Sequence, residues 1–189
     1  MKLFIRVIIA SLILGITSWV IIQLPSVQDR LIVVAFTALG SASNNLPKED
    51  ALSAAVCGSR SPLPSPGRAE TCILITAGDD LFVVDIGDGS NDNLRSWNIN
   101  FRDIEAVLIT HLHSDHIADL PGLHQNAWVV GERSSKLKVF GPEGIDQFTQ
   151  GIEMAYAHDY VFRNEHHGDA IAPLQFAGFS FILIIISQL

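Results

Sequence analysis

Apolar residues fall along this chain in three kinds of run. The first is long and uninterrupted. Behind Lys2 and Arg6, the stretch Val7 to Ile22 carries no charge. Counted from Leu3, with the Arg6 side chain able to snorkel, it reaches about 20 residues, or about 30 Å as a helix, the depth of a bilayer core. The second kind is short, rich in β-branched residues and bounded by turn formers. "LSAAVCGS", "TCILITAG", "DDLFVVDIGDG", "EAVLITH" and "LKVFGPEG" are runs of this kind, and Gly78-Asp79-Asp80 marks a hairpin. The third recurs at helical spacing: Ile145, Phe148, Ile152, Ala155 and Tyr156 predict a helix across "GIDQFTQGIEMAYAHDYVF". "LRSWNINFRDI" has weak helical character, and the proline-rich "RSPLPSPGRA" reads as an ordered loop. Strands lead and helices are interspersed, which predicts a mixed α/β domain behind an N-terminal transmembrane helix.

These runs divide the chain into a signal anchor over 1–24, a linker over 25–52 and a folded portion over 53–189. A cleaved signal peptide would show a small-residue site directly after its apolar core, whereas "QLPSVQDR" follows here. A buried core helix would carry a polar face, which this run lacks. Positive charge ahead of the helix predicts a cytoplasmic N-terminus, with the globular part extracytoplasmic, in a periplasmic or extracellular position. Leu31 to Leu39 is too short to span and reads as an interfacial or packed helix. The C-terminal "FAGFSFILIIISQL" ends in a dense apolar run with no turn or cap, and looks abrupt.

Composition narrows the partners. Of 189 residues, 48% are hydrophobic and 17% charged, and 12 Lys+Arg against 20 Asp+Glu give a formal net charge of −8. An acidic surface repels phosphate backbones, so nucleic acid is not the favoured partner and a small ester substrate is expected instead. Oligomer formation is compatible with these features. The two cysteines, Cys57 and Cys72, are either a disulfide, which an extracytoplasmic position permits, or two buried thiols.

The chemistry lies in "ITHLHSDHIADLPG", where three histidines and two aspartates crowd into one short stretch. With "EAVLIT" as a strand, His111 and His113 point to one face at its end. Ser114 is a plausible N-cap for the helix that follows, so Asp115 and His116 fall on its first turn. Imidazole nitrogens with a carboxylate suit Zn2+, and also Mn2+ or Fe2+. The spacing H-x-H-x-D-H can fill two adjacent sites, with His111 and His113 on one metal and Asp115 and His116 on the other. His124 and His158 read as core or surface residues.

"THLHSDHIADLPGL" resembles the signature of the metallo-β-lactamase fold hydrolases. The upstream "CGSRSPLPSPGRAETC" is most similar to their ribonuclease Z and arylsulfatase-like branch. The resemblance covers about Ser53 to Pro173 and implies the first half of an αββα sandwich. Where the branch has a Gly-Thr-Gly-Ser turn, this chain has the shorter Cys57-Gly58-Ser59. By resemblance, Asp85 in "FVVDIGDGS" is a residue behind the metal ligands, steadying the loop that carries them. The later ligands of the family, a bridging aspartate and two further histidines, have no counterpart apart from His166 and His167, which are weak candidates.

What the resemblance implies is a hydrolase, binuclear in zinc, cleaving a phosphodiester, sulfate ester or similar ester. Asp115 is the expected proton acceptor and donor. Two other possibilities stand beside it: a non-catalytic remnant or binding module with an incomplete metal site, and a redox di-iron protein on the same fold. With only part of the ligand set present, the chain as given is expected to be a fragment with weak metal affinity and little hydrolysis.

Overall fold

The computed structural model describes residues 2–40, 51–63 and 65–184. The chain divides into two compact units, Met1–Ala38 and Leu39–Leu189. In the first unit, α1 (Lys2–Ile22) is followed by α2 (Pro25–Gly40). Within α1, Phe4–Ile22 is long and apolar enough to cross a membrane by length and composition. The chain turns between the helices as Gln23 N donates to Val20 O and Leu24 N to Ile21 O. Pro25 then opens α2 at a position where its missing N–H is no loss.

That second helix takes in Leu31 to Leu39, read as an interfacial or packed helix inside the linker expected over 25–52, and begins earlier, at Pro25. No glycine or proline interrupts Ser26 to Leu39, and Asp29-Arg30 is polar without being a helix breaker. Residues 41–50, the small and polar part of that expectation, lie outside the described residues.

The second unit is built on one six-stranded sheet whose spatial order is the chain order. β1 (Leu52–Gly58), β2 (Cys72–Ala77) and β3 (Asp80–Val84) form an antiparallel meander. β4 (Ile104–Leu108), β5 (Leu137–Gly141) and β6 (Phe179–Leu183) then add in parallel. Each parallel step needs a crossover. The crossovers carry α3 (Ser90–Ser96), then α4 (Ser114–Ile117) with α5 (Leu120–Gln125), then the long α6 (Ile145–His167). Sequence and structure agree on the hairpin, on the five apolar strand runs and on α6. Within α6, Ile145 and Ile152 are buried as expected, whereas Ala155 is exposed.

Period-two alternation splits the sheet into two unlike faces. Leu74, Leu81, Val83, Ile104, Leu137 and Val139 pack with Leu94, Leu120, Leu123 and Ile145 from the crossovers, forming the core. On the opposite face the pairing register lines up Val56, Ile73, Val84, Leu108, Phe140 and Ile182, one residue per strand across the whole sheet. This row is only partly covered: Val56 is 63% exposed and Ile182 42%. The apolar end run becomes an edge strand in which Phe179 is buried while Phe181 to Ile184 are exposed. Residues 185–189 lie outside the described residues.

Cys57 and Cys72 form a disulfide, with a Cα–Cα distance of 5.0 Å. Register slips between Val56 and Gly58, so Cys57 is the extra residue of a bulge and turns toward the neighbouring strand. Gly58 is obligatory beside it, since a Cβ there would sit 1.5 Å from the carbonyl oxygen of Glu70.

Candidate metal centre

Parallel pairing of β3 with β4 brings the C-terminal ends of both strands side by side, so the loops that leave them meet. Backbone hydrogen bonds lace those loops together. Asp85 N donates to Leu108 O, Ile86 N to His116 O, and Asp119 N to Ile86 O. Gly87 completes the approach, because a Cβ at that position would lie 2.2 Å from the backbone oxygen of Asp115. Asp85 itself sits at φ 55, a left-handed conformation that is uncommon outside glycine and often held in place at functional sites.

Onto this corner the chain delivers the predicted residues. His111 and His113 do not extend β4; they stand in the loop beyond Leu108. Their ring nitrogens nevertheless meet, with His111 Nε2 3.0 Å from His113 Nδ1. Ser114 is the first residue of α4 and His113 occupies the cap position, so the expected serine cap is corrected. The reason is local: the turn closes through His116 N donating to His113 O, one residue earlier than the serine pattern implies. Asp115, 8% exposed, and His116 follow on the first helical turn as expected. The imidazoles of His111 and His116 lie 4.0 Å apart between ring centroids.

The carboxylate of Asp85, 3% exposed, stands behind the cluster. Its Oδ2 lies 2.7 Å from His116 Nδ1, and its Oδ1 accepts from Thr110 N at 2.8 Å. An ionised carboxylate only accepts, so His116 donates from Nδ1, and in the neutral imidazole its Nε2 keeps a bare lone pair. That lone pair faces Asp115 Oδ2 at 3.7 Å, too far for a hydrogen bond. With the ring neutral, two electron-rich atoms face each other, and a small cation is a partner such an arrangement accepts. Imidazole nitrogens and a carboxylate gathered in this way are donor types that suit a divalent cation. Among the described residues, no three His, Cys, Asp or Glu side chains are arranged around one ion.

Two further predicted residues are not brought here. α6 starts beside the cluster, where Gly144 approaches Leu112, and its length carries His166 and His167 about 30 Å along the helix axis. There their rings meet, with centroids 4.7 Å apart, and partial burial, then the neighbouring His166, lower the His167 pKa. His158 is exposed. His124 is a core residue, 1% exposed. Its Nδ1 donates to Pro121 O at 2.5 Å and its Nε2 accepts from the Tyr160 hydroxyl at 2.7 Å. Burial pushes its pKa down from 6.5 to about 4. Thr110 and Glu70 were not singled out by the sequence pattern. Glu70 accepts from Asp88 N at 3.1 Å and holds the loop behind Gly87.

Sequence and fold have counterparts elsewhere. A sequence model of the Metallo-beta-lactamase superfamily matches residues 65–179. The chain belongs to the metallo-beta-lactamase superfamily. Within the superfamily it is similar to ribonuclease Z of Mycobacterium bovis, at 36% identity over 118 residues. Ribonuclease Z of Mycobacterium sp. (strain KMS) matches at 37% over 117 residues. The matches cover 61% of this chain and 42% or 41% of those relatives, so the chain spans less than half of their length. Among solved structures, human tRNase Z, short form, superposes with a TM-score of 0.50 at 22% identity, covering 68% of this chain and 42% of that one. A long-form RNase Z from yeast gives 0.54 at 16%, covering 76% and 20%. Both share the fold.

These relatives correct one expectation. Net charge pointed to a small ester and away from nucleic acid, yet the matching relatives are ribonucleases, and the human neighbour bears a tRNA nuclease's name. Net charge sums the whole surface, whereas nucleic-acid recognition depends on the local field around one cleft, so the −8 total was a poor guide.

Proposed function

We propose that this polypeptide is a metal-dependent hydrolase of phosphodiester bonds, with RNA as the substrate class to examine first. One observation carries this: Asp85 turns His116 so that its bare Nε2 faces Asp115, beside the facing nitrogens of His111 and His113. Zinc best suits such imidazole and carboxylate donors, with manganese or iron(II) as substitutes, and supplies a Lewis acid and an acidified water. His111 and His113 would hold one ion, Asp115 and His116 the other. Asp115 would accept a proton from the attacking water and return it to the leaving oxygen, a role supported by its burial beside His116. Asp85 keeps the His116 ring in register throughout. Two side chains per ion leave room for further ligands, so weak metal affinity and slow turnover are expected of these residues by themselves.

The proposed location is a membrane, reached through α1, with the second unit on the extracytoplasmic side. Lys2 and Arg6 ahead of the apolar run support that orientation, and the Cys57–Cys72 disulfide suits an oxidising compartment. A binding module with an incomplete metal site is the second possibility, favoured by the lack of three donors around one ion among the described residues.

The test uses the full chain in detergent, saturated with zinc or manganese and given a structured RNA or an activated phosphodiester. Slow cleavage that needs the metal and disappears in Asp115→Ala is the expected result. A metal-saturated, folded chain with no cleavage of either substrate would leave the binding module as the function.

A further inference from the structure

Thr110 stands immediately before His111, and its hydroxyl lies within hydrogen-bond distance of Asp85 and His111. Its hydroxyl oxygen lies 3.0 Å from Asp85 Oδ1 and 2.8 Å from Asp85 Oδ2. The same oxygen lies 3.0 Å from His111 Nδ1. A hydroxyl has one proton and two lone pairs, while an ionised carboxylate only accepts. The single proton of Thr110 therefore goes to Asp85, and Thr110 meets His111 with a lone pair. The hydrogen on this contact must then belong to His111 Nδ1. In the neutral imidazole, that leaves Nε2 bare, and Nε2 is the atom facing His113 at 3.0 Å.

From this chain of contacts we infer that Thr110 is a positioning residue that selects the His111 tautomer by relaying the charge of Asp85. One buried carboxylate thereby sets two rings, His116 directly and His111 through the Thr110 hydroxyl. Each ring presents Nε2 to the site, and each belongs to a different donor pair. The two halves of the centre share a single orienting charge, so a change at Thr110 acts on the His111–His113 pair and leaves the His116–Asp115 pair in place. The relay rests on the metal-centre reading for its purpose, but the tautomer itself is a property of the metal-free chain.

The experiment is long-range 1H–15N correlation NMR on the metal-free, detergent-solubilised full chain with 15N-labelled histidine, the His111 signals being those absent from His111→Gln. In the wild-type chain, His111 is expected as the Nδ1–H tautomer. Thr110→Val, which keeps the shape and removes the lone pair, is expected to lose that signature while His116 keeps its own; Thr110→Ser is expected to restore it. Cobalt titration should show affinity weakened about 10–100-fold in Thr110→Val, the usual cost of losing an outer partner, and recovered in Thr110→Ser. His111 found as Nε2–H in the wild-type chain would overturn the inference, whatever the variants do. So would a Thr110→Val chain with unchanged His111 signals, or a Thr110→Ser chain as impaired as Thr110→Val. A wild-type chain with the expected tautomer and no cobalt binding would instead remove the metal-centre reading and leave the relay standing.

Discussion

Two groups of histidines in this protein are built on opposite terms. His124 spends both ring nitrogens on the protein itself, one on Pro121 O and one on the Tyr160 hydroxyl. Its ring also packs near Phe179, with centroids 4.7 Å apart, and Trp128 closes the surroundings by donating from Nε1 to Ala172 O. His111 and His116 spend one nitrogen each on Thr110 and Asp85, and turn the other toward His113 Nδ1 and Asp115 Oδ2. Burial alone does not separate the two groups, since Asp115 and His124 are both buried. The destination of the second nitrogen does. A saturated imidazole holds the fold, and a half-used one is available for chemistry.

The largest expected effect lies on the open side of this comparison. His113→Ala should reduce metal-dependent phosphodiester cleavage at least about 100-fold, beyond the usual cost of losing an outer partner. The ring is exposed, so unfolding free energy should change by less than about 0.5 kcal/mol. Denaturant titration beside the activity assay checks both halves. A strongly destabilised chain would show that this ring too is structural.

His124→Ala reverses the pattern. It leaves a void and strands the Tyr160 hydroxyl and the Pro121 carbonyl, which should cost about 3 kcal/mol. Cobalt affinity should stay at the wild-type value. Loss of metal binding at unchanged stability would erase the distinction drawn here.

The most gradual effect is a dependence on pH. Burial lowers the His124 pKa to about 4 in the folded chain, against 6.5 for the ordinary group. The unfolded chain therefore binds the proton more tightly. The contribution is fully present above pH 6.5 and is lost progressively as pH falls toward 4, amounting to about 3 kcal/mol in all. Unfolding curves between pH 4 and 7 for the wild type and His124→Phe should diverge across that window. Parallel curves would mean that the folded core admits the charged ring.

Why the open group was legible in sequence, and the closed one was not, follows from distance along the chain. His111, His113, Asp115 and His116 occupy six consecutive positions, so spacing alone states their chemistry. The partner of His124 is Tyr160, 36 residues away, and only the folded crossover brings them together. Strands were legible because apolar and polar residues alternate in step with the pleat. α2 was legible only from Leu31, because the charged pair Asp29-Arg30 looks like a boundary although it interrupts no backbone hydrogen bond. Ser114 was misread by one residue, the usual uncertainty at a helix start. Thr110 was passed over because a lone threonine before a histidine carries no pattern; its role is visible only once Asp85 lies behind it.

The ordering of the sheet has a consequence in time. β2 and β3 close through the two-residue turn at Gly78-Asp79, and hairpins of this kind form within about 1–10 μs, while β1 joins them antiparallel through a longer loop. β4, β5 and β6 each wait for a crossover to be made, and non-local parallel pairing is the slow kind. Because spatial order follows chain order, each strand docks onto an edge that already exists. A ribosome releasing this chain from its N-terminus would extend the sheet one strand at a time, and the growing edge would always be the most recently made strand.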